Sequence, residues 1–429
     1  MARVRGPAAG AKRGLWALVV GGGTAGHAIP ALEVALEVEA RHGAGSVQLV
    51  GGRRGLEAKV WDTSGLQAAY LPGRGLPHRR GGTVAGCRRI AGSIAFAGGV
   101  VVSLASAARA VLGGLTLVIR RRPSVVVVFG GYTSAGPALA AVIKRVPLVV
   151  VNVDSVAGRA NRVLARFARV SAVAWEETEL PRKRITGVPV RPEVLQAGVI
   201  RAGSLPAAVA RVDACRELGI PDGRLVVAVM GGSLGAKRVN ELALEMAAAI
   251  GSRRDIAVYH IAGDRDVDWV RKEAERRNLG PSSAVTGVGS DGEAVAAAGS
   301  DDRLHYRIVG YEERMGAVYA AADMMICRAG AVTVAELAAA RMPAVLIPLP
   351  GAPHDHQARN ARQLVAQGGA VMLREEDLDV TQLVETVEAL AGDPARLVEM
   401  SGALGALGFA SATGAIADLA ESVARGKRR

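Results

Sequence analysis

Aromatic side chains make up only 3% of this 429-residue chain. The core therefore has to be built from Ala, Val, Leu and Ile, and with half of all residues hydrophobic there are enough of them for two domains of ordinary size. Few rings also means few platforms on which bases could stack. No recognised binding motif makes up for them, so nucleic acid is not an expected partner. Cysteine is nearly as scarce. Cys87, Cys215 and Cys327 lie far apart in no metal or redox spacing, which excludes a disulfide scaffold and reads as small buried hydrophobes in a reducing compartment. A secretory signal is missing as well: MARVRGPAAGAKRG is basic, but Leu15–Val20 behind it is only strand length, and a cytoplasmic protein is expected.

Acidic residues are absent from Thr63 to Val150. Residues 1–150 hold 19 Lys/Arg and five Asp/Glu, whereas the remainder holds 34 and 35, so the first half carries the chain's surplus of +13. A basic half beside a neutral one points to an anionic surface as partner. Within it, Ile90–Ile119 is apolar and rich in small residues, with Arg109 its only charge. Arg79, Arg80, Arg88 and Arg89 precede it and Arg120–Arg122 follow. An apolar stretch bracketed by arginines suits an anionic lipid layer, so peripheral attachment is one expectation. A helix buried against a sheet is the plainer one. Ile90–Ala108 also approaches spanning length, though it is weakly hydrophobic for a span.

Short apolar runs followed by glycine turns and helical segments recur along the chain, which predicts an α/β protein with parallel sheets covered by helices on both faces. Strands are expected at Leu15–Val20, Ser46–Val50, Ser124–Phe129 and Pro147–Asn152. A second set falls at Leu225–Met230, Ile256–Ile261, Arg307–Val309, Asp323–Cys327 and Pro343–Pro348. Helices are expected at Pro30–Ala40, Ala138–Arg145 and about Thr333–Arg341. Gly187–Pro192, with its two prolines, marks a hinge between Rossmann-like domains at 12–190 and 193–405, which face each other across a cleft. Gly280–Asp302, polar and glycine-rich, reads as a surface loop.

The chemistry is concentrated in ICRAGAVTVAELAAARMPAVLIPLPGAPHDHQARNA, Ile326–Ala361. Ala329, Gly330 and Ala331 let a ligand approach the backbone where a helix N-terminus offers unpaired N–H groups, a setting that favours phosphate. Glu336 stands one turn into that helix, where a carboxylate can accept from ribose hydroxyls. His356, Gln357 and Asn360 present polar groups from the next loop and helix. The whole reads as a nucleotide pocket with a sugar-binding rim. Gly21–Gly26 can form an anion cradle, and His27 behind it sits at a helix start, where the dipole disfavours a charged imidazole. A neutral His27 can serve as general base or donate to phosphate; it can equally be a capping residue.

Four blocks in order, GGGTAGHAIPALEVA (Gly21–Ala35), GGYTSAGPALAA (Gly130–Ala141), GGSLGAKRVN (Gly231–Asn240) and the Ile326–Ala361 segment, resemble the MurG family of cell-wall glycosyltransferases over about residues 15 to 400. The resemblance implies the GT-B fold, with a last helix near Ala410–Arg425 crossing back to the first domain. It also implies an inverting transfer of N-acetylglucosamine from UDP-N-acetylglucosamine to undecaprenyl-linked lipid I, giving lipid II at the cytoplasmic face of the membrane. No Asp-x-Asp pair stands in a glycine-loop setting, so neither metal nor cofactor is expected. Thr24, Gly26, Gly232, Ser233, Arg328, Gly330, Ala331, Thr333, Glu336, His356, Gln357 and Asn360 would hold the donor. Gly131, Tyr132, Ser134 and Arg191 would face the acceptor, and His27 and Asp154 would carry catalysis. Uracil would lie near Tyr311-Glu312. Arg328 can pair either with phosphate or with a core carboxylate, Asn240 can brace the third loop, and Asn360 can be a helix-start residue.

The sequence departs from the family on the acceptor side. Ala25 stands where glycine is usual, and the second loop carries an extra residue between Ser134 and Pro137. A family His-Glu-x-Asn run is replaced by Val151, Asn152 and Asp154, and Val188 stands for Asn in the hinge. Asp154 can stand in for the lost polar groups. These changes leave open a GT-B transferase with another lipid or small-molecule acceptor, a UDP-sugar epimerase, or a non-catalytic nucleotide module. Gly21, Gly23 and Gly26 also meet the spacing of a dinucleotide loop. The second strand, however, ends in Gly51-Gly52-Arg53-Arg54 with no acid for an adenine ribose, which disfavours a dehydrogenase.

Overall fold

The computed structural model describes residues 15–22, 25–52, 57–71, 108–109, 111–203, 207–232, 235–279, 303–407 and 409–426. Gly280–Asp302, and Ile90–Ile119 up to residue 107, lie outside them.

The first half runs β1 (Ala17–Val20), α1 (Ala25–His42), β2 (Val47–Gly52), α2 (Glu57–Trp61), β3 (Gln67–Leu71), α3 (111–121), β4 (Val125–Val128), α4 (Ala135–Ile143), β5 (Leu148–Asn152), α5 (Arg159–Leu164), β6 (Val170–Val173) and β7 (Lys183–Ile185). Its strands form one parallel sheet in the order β3-β2-β1-β4-β5-β6-β7. The second half runs α6 (Pro192–Arg201), α7 (Ala207–Leu218), β8 (Leu225–Met230), α8 (Lys237–Ala249), β9 (Ile256–Ile261), α9 (Val267–Arg276), β10 (His305–Val309), α10 (Met315–Ala321), β11 (Met324–Cys327), α11 (Ala331–Ala339), β12 (Ala344–Leu346), α12 (His356–Ala366), β13 (Ala370–Met372), α13 (Val380–Ala391), α14 (Pro394–Leu404) and α15 (Ala412–Arg425). Its parallel sheet is ordered β10-β9-β8-β11-β12-β13. These two Rossmann-like sheets constitute a GT-B fold.

The central strands are continuous β-branched runs such as Val125–Val128, buried on both faces because helices cover both. Each sheet reverses its strand order once, at β1/β4 and at β8/β11. Crevices open at such points beyond the carboxyl ends of the strands. All four sequence blocks lie there, since the first two loops follow β1 and β4 while the third and fourth follow β8 and β11.

Several expected boundaries move. The first helix starts at Ala25 rather than Pro30. Pro30 lacks the N–H that would bond the Gly26 carbonyl, but one missing bond is tolerated inside an 18-residue helix. The helices expected at Ala138–Arg145 and Thr333–Arg341 are Ala135–Ile143 and Ala331–Ala339, and Arg145 and Arg341 beyond them adopt φ of 54° and 53°. Strands β3, β6, β7 and β13 carry no strong apolar run and were not anticipated; β7 is exposed along its length.

The chain after α14 returns to the first sheet. Ile416, Ala417, Ala420 and Ala424 of α15 are buried, and Arg41 of α1 reaches Asp418 at 2.5 Å. Gly187, at φ +81°, passes so close to Phe409 that a Cβ there would meet its ring at 2.6 Å. Phe409 packs edge-on against Trp175, with ring centroids 5.1 Å apart.

Candidate functional site

Thr24 and Ser233 lie outside the described residues, and Gly26, Gly131 and Tyr132 are defined through their backbone. The first two loops touch. Gly131 adopts φ +78°, and a Cβ on it would run into the carbonyl oxygen of Gly22. A Cβ on Gly22 would in turn meet Glu57 Oε1 at 2.5 Å and Thr133 Oγ1 at 3.0 Å. Only glycine permits this approach. Ser134 does not offer its hydroxyl outward: it is buried and donates to the Gly130 carbonyl at 2.5 Å. The neighbouring Thr133 is buried with its Oγ1 unpartnered, so its hydroxyl has hydrogen-bonding capacity to spare.

His27 is half-buried at the first turn of α1. Burial lowers its pKa from the ordinary 6.5, while the charges of Asp154 and Glu57 pull the other way. Burial prevails, so the imidazole is neutral at pH 7. Glu57, fully buried at the start of α2, was not anticipated as part of the site. Its signal was available: with Asp62 it is the last acid before the long stretch that has none. In the altered strand end, Val151 and Asn152 are buried. Asn152 Nδ2 donates to the Asp154 carbonyl at 2.6 Å, and Asn161 Nδ2 donates to Asn152 Oδ1 at 3.0 Å. Asp154 remains half-exposed.

Asn360 is not a helix-start residue. It sits in the second turn of α12, fully buried, and joins the domains: its Oδ1 accepts from Ser155 N at 2.9 Å and Ser155 Oγ at 2.7 Å, and its Nδ2 donates to Asp154 Oδ1 at 3.1 Å. Arg191, expected on the acceptor side, instead reaches the donor side and donates to Glu336 Oε1 from Nε at 2.9 Å and Nη2 at 2.7 Å. The buried Tyr319 hydroxyl donates to Glu336 Oε2 at 3.2 Å. Tyr319 was missed; its signal is that it is one of six tyrosines in a chain nearly free of rings. Glu33 of α1 faces the same cluster. Burial first, then the charges of Glu193 and Glu336, push its carboxyl up to about 7, against the pull of Arg191.

Of the two roles open to Arg328, the structure shows the carboxylate. Its Nη1 lies 2.5 Å from Glu375 Oε2 and donates to the Ile347 and Pro348 carbonyls. Gln357 Oε1 accepts from Leu349 N at 2.9 Å, and His356 Nδ1 lies 3.0 Å from the Pro353 carbonyl, so both brace the loop before α12. That loop is strained, with His354 and Asp355 both at positive φ (58° and 52°). Asn240, open to bracing the third loop, is tied instead to the segment after β9, its Nδ2 donating to the Ala262 carbonyl at 3.1 Å. Helix α11 begins at Gly330 with no side-chain cap, leaving the N–H groups of Ala331, Val332 and Thr333 for a ligand. At the expected uracil position, Glu312 is held by Tyr259 and Arg314. Among the described residues, no group of three or more His, Cys, Asp or Glu side chains could hold a metal ion.

Residues 17–173 match the glycosyltransferase family 28 N-terminal domain, and residues 226–416 match the C-terminal domain of that family. A protein of Acidothermus cellulolyticus named UDP-N-acetylglucosamine--N-acetylmuramyl-(pentapeptide) pyrophosphoryl-undecaprenol N-acetylglucosamine transferase is 34% identical over 96% of this chain and 98% of its own length. A relative of the same name from Desulforudis audaxviator is 32% identical over 95% of this chain and 98% of its own. The crystal structure of MurG from Acinetobacter baumannii superposes with a TM-score of 0.63 at 23% identity, covering 95% of this chain and 99% of that one, a likeness in fold.

Proposed function

The chain belongs to glycosyltransferase family 28 and, within it, to the MurG family, and on that footing we propose that it transfers N-acetylglucosamine from UDP-N-acetylglucosamine to the 4-hydroxyl of N-acetylmuramoyl-pentapeptide on undecaprenyl pyrophosphate, making lipid II for peptidoglycan and so serving cell shape and division. The observation that carries this reading is identity of 34% running through both domains with a transferase of that name. The glycine loops at both switch points support it, because they aim two phosphate-binding crevices at one cleft.

In the proposed reaction the acceptor hydroxyl attacks the anomeric carbon as UDP leaves, with inversion. Neutral His27 takes the hydroxyl proton, and Asp154 with Glu57 stabilises the resulting imidazolium. The uncapped N-terminus of α11 and the loop at Gly232 meet the diphosphate as its charge develops. Ribose hydroxyls take the places that Arg191 and Tyr319 hold on Glu336. The domain border is placed at residues 190–193. UDP release from UDP-N-acetylglucosamine, with and without a lipid I analogue and with UDP-glucose as control, tests the function. Acceptor-dependent, N-acetylglucosamine-selective release is expected; donor binding without it would sink the proposal.

The same proposal places the enzyme peripherally on the cytoplasmic face of the membrane. Leu112 and Ile119 of α3 and Leu139 and Ile143 of α4 are exposed, on helices that touch where Gly114 meets Gly136 and Pro137. The exposed Arg120, Arg121, Arg122, Lys144 and Arg145 border them, each contributing on the order of 1 kcal/mol near an anionic surface. Flotation with anionic vesicles should be lost in Leu112→Asp/Ile143→Asp, and equal flotation of that variant would remove the assignment.

A further inference from the structure

Glu336, the proposed ribose seat, is buried and already engaged at both oxygens. Arg191 Nε and Nη2 donate to Oε1 at 2.9 and 2.7 Å, and the Tyr319 hydroxyl donates to Oε2 at 3.2 Å. Ribose hydroxyls that take over this carboxylate therefore displace Arg191. Only 19% of the Arg191 side chain is exposed, and a cation so enclosed is costly without a counter-charge.

Two further carboxylates bear on it. Glu193, two residues along at the start of α6, lies 3.8 Å from Arg191 Nε, but 48% of its side chain is exposed, so water screens its pull. Glu33 belongs to the other domain, midway along α1, which packs against α11. It is buried, yet among the described residues no hydrogen bond or ion pair holds it, and its oxygens keep contact with solvent. Glu33 thus has room for a partner.

The charges that face Glu33 are those of Glu193, Arg191 and Glu336. Elsewhere around α1, strands β1 and β2 carry no charged side chain, and Glu57 of α2 faces His27. Asp418 and Glu421 of α15 pair with Arg41, about two turns further along α1, as does Glu37. Burial first, then Glu193 and Glu336 against the pull of Arg191, holds the Glu33 proton up to about 7.

We propose that Glu33 is the second seat of Arg191: as donor binds, the guanidinium passes from Glu336 to Glu33, and Glu33 gives up its proton to solvent. Glu33 is then a positioning residue, which acts on the donor site through Arg191 and ties the hinge to α1. This rests on Glu336 holding the donor ribose. A bidentate guanidinium favours the ionised carboxylate, so a proton kept below about pH 7 in the free protein is lost in the complex. Binding should release about one proton at pH 6 and almost none at pH 8.5, and affinity should fall by up to about tenfold per pH unit below 7.

UDP-N-acetylglucosamine, whose diphosphate does not titrate in this range, is the probe. Calorimetric titration of the full chain at both pH values, in buffers of different ionisation enthalpy, counts the protons. Glu33→Gln, close in shape and unable to ionise, should release none at either pH and bind donor without that pH dependence. Arg191→Ala should also release none, since no cation arrives at Glu33. Release at pH 6 that survives in either variant, or no release from the parent, overturns the proposal while donor binding itself stands. Failure of the parent to bind donor at either pH removes the ribose reading of Glu336 and this proposal with it.

Discussion

At the scale of single residues, the site is governed by burial competing with charge. His27 is pulled below its ordinary pKa by burial and back up by Asp154 and Glu57. If it is the base, activity falls as pH drops through its depressed pKa, which places the acid limb of kcat/KM below 6.5. Asp154→Asn removes a charge that favours the imidazolium, so the acid limb should move further down; a limb that stays put would detach Asp154 from His27. Glu33 gives the opposite kind of test. Its folded pKa is raised, so the native state keeps the proton where the unfolded chain has lost it, and stability falls as pH rises from 4.5 to about 7. Glu33→Gln should therefore be more stable than the parent at pH 8, by up to about 3 kcal/mol, with the gain vanishing below pH 4.5. Urea unfolding at the two pH values measures both ends.

At the scale of elements, what matters is how closely backbone segments approach. The loops after β1 and β4 meet at Gly22 and Gly131, leaving no room for a methyl group and requiring positive φ at Gly131. Gly131→Ala combines that strain with a clash against the Gly22 carbonyl. It is expected to cost about 1–3 kcal/mol of stability and to lower kcat/KM while leaving UDP affinity, a property of the other domain, within twofold. Equal losses in UDP binding would mean that the loops act through the fold as a whole. Helix α1 makes the same point from sequence. Pro30 reads as a start signal, but the buried face of α1 and its packing against α15 sustain five residues of helix before it.

At the scale of the whole molecule, a buried hydrophobic cluster runs through both domains, and specific polar side chains add to it. Asn360 makes three hydrogen bonds to Asp154 and Ser155, and Arg191 clasps Glu336. Asn360→Ala leaves buried Ser155 groups unpartnered, which should cost about 2–4 kcal/mol and loosen the closed arrangement. A lower urea midpoint together with a larger radius of gyration by X-ray scattering is expected. An unchanged radius and midpoint would show that the return of α15 onto α1 suffices to hold the domains together.

The sequence by itself determined the two-domain α/β architecture and the positions of all four loops at the strands' carboxyl ends. Valine-rich runs followed by glycines and then helical segments specify parallel strands with loops at their carboxyl ends, and these are local, periodic signals. It also carried the family resemblance, because tight backbone approaches such as that of Gly22 to Gly131 tolerate few residue types. The partners of each polar side chain were decided only by tertiary structure. Of the two partners open to it, Arg328 met a carboxylate, Glu375; Arg191 crossed to Glu336, Ser134 turned inward while Thr133 kept spare capacity, and Asn360 became an interdomain tie. The physical reason is distance along the chain. Arg191 and Glu336 are 145 residues apart and Ser155 and Asn360 are 205 apart, so no local pattern records pairs that only the closing of one domain on the other brings within 3 Å.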